Sequence, residues 1–159
     1  MPSGGDAPPA GPVPRVVLDT NVALDFLDSA RAAHQAAMDL VTALIRAGAW
    51  VGLAATSLKD VYYLITRAAG EPAARRAVTA FTQTLDILPV DAHVCAQALD
   101  SGEPDFEDGL IRACAEAANA DWIVTRDAAA FANSAVPKTD AATLLRALGP
   151  GPGGEAQSR

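Results

Sequence analysis

Between residues 15 and 148, short unbroken apolar runs alternate with longer stretches in which apolar residues recur at helical spacing. The runs RVVL (15–18), WVGLA (50–54), DILPV (86–90) and DWIVT (121–125) predict four strands, with a short fifth near Val136. Runs that are continuous rather than alternating suit parallel strands covered on both faces. Helices are predicted over 21–28, 31–47, 58–69, 72–84, 91–101, 106–119, 127–132 and 140–148. In the second of these, Ala37, Leu40, Val41, Leu44 and Ile45 share one face. Pro72 stands in a first helical turn, where its missing N–H costs nothing, and Gly48, Gly70 and Gly149 fall where helix C-termini end. Strand–helix alternation of this kind predicts an α/β fold, a three-layer α/β/α sandwich around a central parallel sheet of four to five strands.

The flanks have another character. Residues 1–14 and 149–159 are dense in Gly and Pro and short of bulky apolar residues, so they are expected to be disordered tails. A chain of 159 residues that is half hydrophobic can bury one core, which makes 15–148 a single domain. Cys95 and Cys114 form no metal-ligand spacing with each other or with His34 and His93, and are read as two buried thiols. With no apolar membrane run and no secretory leader pattern, the expected location is cytoplasmic.

In sheets of this type ligands bind beyond the carboxyl ends of the strands. The first strand ends in Asp19-Thr20-Asn21 and the fourth in Thr125-Arg126-Asp127. The second is followed by Ser57-Leu58-Lys59-Asp60, and a helix before the fourth opens with Asp105-Phe106-Glu107-Asp108. A parallel sheet gathers these carboxylates at one rim, where they repel one another unless a counter-charge is present. Mg²⁺ or Mn²⁺ suits an all-oxygen site and is the ion of phosphodiester hydrolysis. Each acid also has a structural reading. Ser57 and Asp60 form an S-x-x-D variant of the capping box, Asp105 suits an N-cap, Glu107 and Asp108 favour the helix dipole, and Asp19 and Asp127 suit caps of the helices they precede. The net charge of −7 argues against a nucleic-acid binder held by a basic surface, and is compatible with one whose positive charge comes from metal.

These residues resemble the motifs of the PIN domain family. VVLDTNVALD is similar to its first motif, TSLKDVYYLI to its second acidic motif, PDFEDGLIRACA to its D-x-x-D helix and IVTRDAAAF to its closing motif, while KTDAATLL resembles the terminal strand and helix. The resemblance spans about residues 15–148. It implies a Mg²⁺- or Mn²⁺-dependent endoribonuclease in which Asp19, Asp60, Asp108 and Asp127 bind metal. Asp105 would then be an accessory acid, and Asn21 or Thr125 would orient water or a carboxylate. Many members carry Glu where this chain has Asp60, so a contact from Asp60 is expected to run through water. Small bacterial members include toxins of the VapC type, which cut RNA, pair as homodimers and are silenced by a protein antitoxin. The alternative is a catalytically inactive PIN-like module that acts through protein contacts.

Other residues are read more plainly. Arg112, Arg126 and Lys59 are expected to be solvated or paired with nearby acids rather than to hold phosphate. Tyr62, Tyr63 and Trp122 are expected in the core rather than stacked on a base, and Asp25 and Asp28 in solvent. A haloacid-dehalogenase-type phosphatase needs a second Asp in D-x-D-x-T, where this chain has Asn21, and a receiver domain needs an acidic pair after the first strand that is missing here.

Overall fold

The computed structural model describes residues 12–150. Five strands form one sheet: β1 (Val16–Leu18), β2 (Val51–Ala54), β3 (Asp86–Leu88), β4 (Trp122–Val124) and β5 (Lys138–Thr139). All pair in parallel, in the order β3-β2-β1-β4-β5. The helices are α1 (Thr20–Leu27), α2 (His34–Arg46), α3 (Ala55–Ala69), α4 (Glu71–Thr84), α5 (Ala92–Asp100), α6 (Phe106–Ala117) and α7 (Ala141–Leu148).

Alternating side chains of the central strand divide the core in two. Val16 and Leu18 pack with Leu40, Leu44, Val61, Phe81 and Leu144, so α1–α4 and α7 cover one face. Val17 points the other way, into a cluster with Val94, Ala98, Ile111 and Phe131, which brings α5 and α6 onto the opposite face. This is the expected three-layer sandwich, and burial on both faces explains why the strands read as continuous apolar runs. Gly109 lets α6 lie close against α5: a Cβ there would stand 2.7 Å from the carbonyl oxygen of Ala98. That close approach fixes the helix that carries Asp105 and Asp108.

Two local expectations are corrected. α3 begins at Ala55, directly after β2, so Ser57 lies inside the helix and does not cap it; Ala54 holds the N-cap position with no side-chain cap. Residues 127–132 form turns rather than a helix. The sequence there is rich in helix-forming Ala, but tertiary bonds override that preference. The Lys138 ammonium donates to the carbonyl oxygens of Asp127, Ala128 and Ala130. Phe131 is buried in the left-handed region (φ 63°), with its N–H donated to the Glu103 carboxylate at 2.8 Å.

Residues 1–11 and 151–159, the greater part of the two expected tails, lie outside the described residues. The described ends, 12–15 and 149–150, carry no helix or strand. Among the described residues, no helix is long and apolar enough to cross a membrane. Both cysteines are free thiols; Cys114 is buried, but Cys95 is only partly so.

Candidate active site

From β1 the chain turns to β2 on one side, and later crosses to β4 on the other, so the carboxyl ends of β1 and β4 flank the switch point of the sheet. A cleft of about 300 Å³ opens there, lined by Asp19, Asp60, Asp105, Asp108 and Asp127, the five acids singled out in the sequence, together with Glu107. Thr20, Asn21, Leu24, Tyr63 and Leu64 complete its wall.

Asp19 leaves the end of β1 in the N-cap position of α1, yet its side chain caps nothing. It accepts instead from the Thr125 hydroxyl at 2.8 Å, and the same hydroxyl oxygen accepts the Asp127 N–H at 3.0 Å. Thr125 is buried. It therefore bonds one acid through its side chain and the other through its backbone. Asn21 is exposed at the cleft wall and makes no side-chain hydrogen bond among the described residues.

Asp105 is the N-cap of α6, accepting from the Asp108 N–H at 2.9 Å. The cap orients the first turn that carries Asp108, and both residues line the cleft. Asp127 accepts from the N–H groups of Ala129 and Ala130, which draw its pKa below the usual range. Asp60 lies in the second turn of α3, away from the cap, and pairs with Lys59 at 2.8 Å.

The electrostatics set these acids apart. Asp19, Asp105 and Asp108 have no cationic partner at ion-pair distance among the described residues. Burial, reinforced by Asp105, Asp19 and Asp127, pushes the Asp108 carboxyl up to about 7. Burial also raises Asp19, against the pull of the Thr125 hydroxyl. Carboxylates desolvated beside one another call for a cation, and an oxygen-only donor set matches a hard divalent ion. As the side chains stand, no three ligand-type groups among the described residues converge on one point. Closing around an ion therefore requires side-chain movement, for which the exposed Asp127 and the partly exposed Asp60 have room.

Two residues of the site were not recognised as such in the sequence. The buried Thr20 hydroxyl lies 2.7 Å from the Ser57 hydroxyl and donates to Glu107 at 2.8 Å, which ties α1, α3 and α6 together at the cleft floor. Glu107, read only as a charge favouring the dipole of its helix, is raised in pKa by burial and by nearby Asp60. The signal available was the Thr of Asp19-Thr20-Asn21, which faces inward because it opens a helix directly from a buried strand.

Several other expectations are settled by partners. Arg112 donates to Glu103 and Glu116, and Arg126 to Asp25, so neither is free for phosphate. Asp25 is not solvated: it is 1% exposed and paired with both Arg31 and Arg126. Trp122 is partly buried against the core as expected. Tyr62 leaves the core to bond the Glu71 carboxylate, and Tyr63 is 57% exposed.

The PIN domain profile matches residues 15–129, the stretch that carries all of these acids. The chain belongs to the PIN domain family. Solved structures resemble this PIN domain over most of its length. Mycobacterium tuberculosis VapC20, a sarcin-ricin loop cleaving toxin, is 20% identical, covers 70% of this chain and 89% of its own, and superposes with a TM-score of 0.58. VapBC2 from Rickettsia felis, solved bound to a promoter DNA fragment, is 16% identical with TM-score 0.59, covering 79% of this chain and 97% of that one. VapBC-1 from nontypeable Haemophilus influenzae is 14% identical with TM-score 0.60 and the same coverages of 79% and 97%. At such identities the likeness speaks for the fold. No curated relative matches the PIN domain by sequence.

Proposed function

We propose that this PIN domain is a metal-dependent endoribonuclease, the toxin of a type II toxin–antitoxin pair. The observation that carries the proposal is the carboxylate cleft at the switch point of the sheet, where Asp19, Asp105 and Asp108 have no cationic partner among the described residues and Asp108 is pushed up to about 7. Asp19, Asp108 and Asp127 would hold Mg²⁺ or Mn²⁺, with Asp60 reaching it directly or through water and Asp105 as the accessory acid. When bound, such a cation supplies neutralisation of phosphate charge and activation of a water. The chain's own part is to hold donors in place: Thr125 fixes Asp19 and Asp127, and the Asp105 cap fixes Asp108. With a net charge of −7, the chain repels RNA unless that cation is present.

The same reading assigns a protein antitoxin that covers the cleft, a homodimeric toxin and a cytoplasmic location. It draws on the likeness to VapC and VapBC structures.

The test is cleavage of a labelled single-stranded RNA with Mg²⁺, with Mn²⁺ and with EDTA, beside Asp19→Asn. Cutting is expected with metal and lost in EDTA and in the variant. A chain that neither cuts RNA nor binds Mn²⁺ in calorimetry would instead be a binding module that keeps the fold without the chemistry.

A further inference from the structure

Tyr63 lines the carboxylate cleft, yet 57% of it is open to solvent. It stands one turn after Asp60 on α3, beside Leu64, which is 44% exposed and lines the same cleft. A large aromatic ring left in water at the mouth of a polar site has no role in the core. Its neighbour Tyr62 shows the ordinary alternative, turned away to bond Glu71.

The ring is also braced. The Arg67 guanidinium lies over it, 5.7 Å from its centroid, and Nη1 donates to the Tyr63 hydroxyl at 3.0 Å. Arg67 is exposed, and among the described residues no carboxylate pairs with it. By contrast Lys59, Arg75, Arg112 and Arg126 are each held by acids. An aromatic face joined to an uncommitted cation, beside a site for phosphate, is the pairing that binds single-stranded nucleic acid: bases stack on the ring and the cation meets the backbone.

We propose that Tyr63 and Arg67 form a nucleotide subsite in which an unpaired RNA base next to the scissile phosphate stacks on Tyr63 while Arg67 contacts an adjoining phosphate. The placing of that scissile phosphate over the carboxylates rests on the nuclease reading above. Because every base offers a π-face, the subsite selects for unpaired RNA rather than for one sequence. A base inside a duplex is already stacked on its neighbours and cannot reach the ring.

The experiment is binding rather than cutting. A short labelled RNA, single-stranded or annealed to its complement, is titrated by fluorescence anisotropy in Mg²⁺ with wild type, Tyr63→Phe, Tyr63→Ala and Arg67→Ala. Tyr63→Ala is expected to weaken single-strand binding about tenfold. Tyr63→Phe keeps the ring and should stay within about twofold of wild type, while duplex binding, weaker throughout, should not respond to either variant. Arg67→Ala should weaken binding and lower the salt slope by about one charge. Wild type that does not bind the single strand overturns the proposal, as does Tyr63→Ala binding it like wild type or losing single strand and duplex equally. If Tyr63→Ala changes only the oligomeric state in sedimentation, the face is a protein contact and the proposal is wrong. The nuclease reading fails separately: ring-dependent binding with neither cutting nor Mn²⁺ binding would sink it and leave the subsite standing.

Discussion

α1 carries two buried aspartates, and they are treated in opposite ways. Asp25, in its second turn, accepts from Arg126 through Nε at 2.6 Å and Nη2 at 3.1 Å, and from Arg31 at 2.7 Å. His34 Nδ1 lies 2.8 Å from its carbonyl oxygen. Asp19, at the head of the same helix, is 5% exposed and is held by the Thr125 hydroxyl, with other carboxylates rather than guanidinium groups around it. Burying a charge is costly unless it is paired. At Asp25 the chain supplies the pairing itself, and the carboxylate becomes part of the scaffold. At Asp19 the chain withholds it, and that deficit is what the proposed cation site rests on. The two are also connected, because Arg126 lies between Thr125 and Asp127. The satisfied acid clamps the segment that carries Asp127 and the Thr125 hydroxyl on which Asp19 rests.

The largest effect expected from breaking this contrast is on cutting. Asp108→Asn should abolish metal-dependent RNA cleavage while leaving the chain folded, since it removes a repelled charge rather than a partner. Normal cutting by this variant would remove Asp108 from the site. The converse holds at Asp25. Asp25→Ala leaves Arg31 and Arg126 unpaired but partly in solvent, and the lost charged hydrogen bonds should cost about 2 kcal/mol in urea unfolding. If unfolding is unchanged, the clamp contributes nothing and the comparison fails.

Much of this arrangement was legible in the sequence because it depends on period and position. The four main strands fall within one or two residues of their apolar runs, and the five acids named from the strand and helix starts do line one cleft. What escaped depends on distant partners. Asp25 sits on an amphipathic helix at a place that reads as solvent, and only the fold brings Arg126 across a sequence separation of 101. Residues 127–132 have helical composition, but Lys138 and Glu103 claim their carbonyl and N–H groups. Ser57 has a cap residue's identity but is drawn into the helix because β2 runs into α3 without a loop, and its hydroxyl meets Thr20 instead.

A milder cut separates the acids from their support. Thr125→Val keeps size and burial but removes the hydroxyl that serves Asp19 and Asp127. Loss of such an orienting bond should weaken Mn²⁺ binding about tenfold in calorimetry, with the carboxylates themselves intact. Unchanged affinity would mean that backbone placement alone holds the two acids.

The pH dependence of stability tests the electrostatic side of the contrast directly. The Asp108 carboxyl has its ordinary value of 3.8 in the unfolded chain and about 7 when folded. Below about pH 4 it is protonated in both states and costs nothing. As pH rises toward 7 the unfolded chain releases a proton that the folded chain retains, so unfolding becomes easier; above 7 the loss is complete. Asp127 and Glu116 shift the opposite way, so the whole curve mixes both signs. The difference between wild type and Asp108→Asn isolates what Asp108 contributes. In metal-free buffer the variant should gain in melting temperature relative to wild type between about pH 5 and about pH 8. Mg²⁺ should close that gap at pH 8, where it binds the ionised cleft of wild type, and do little at pH 5, where protons compete for the same oxygens. A difference that does not change with pH would show that burial and the neighbouring carboxylates do not hold the proton on Asp108.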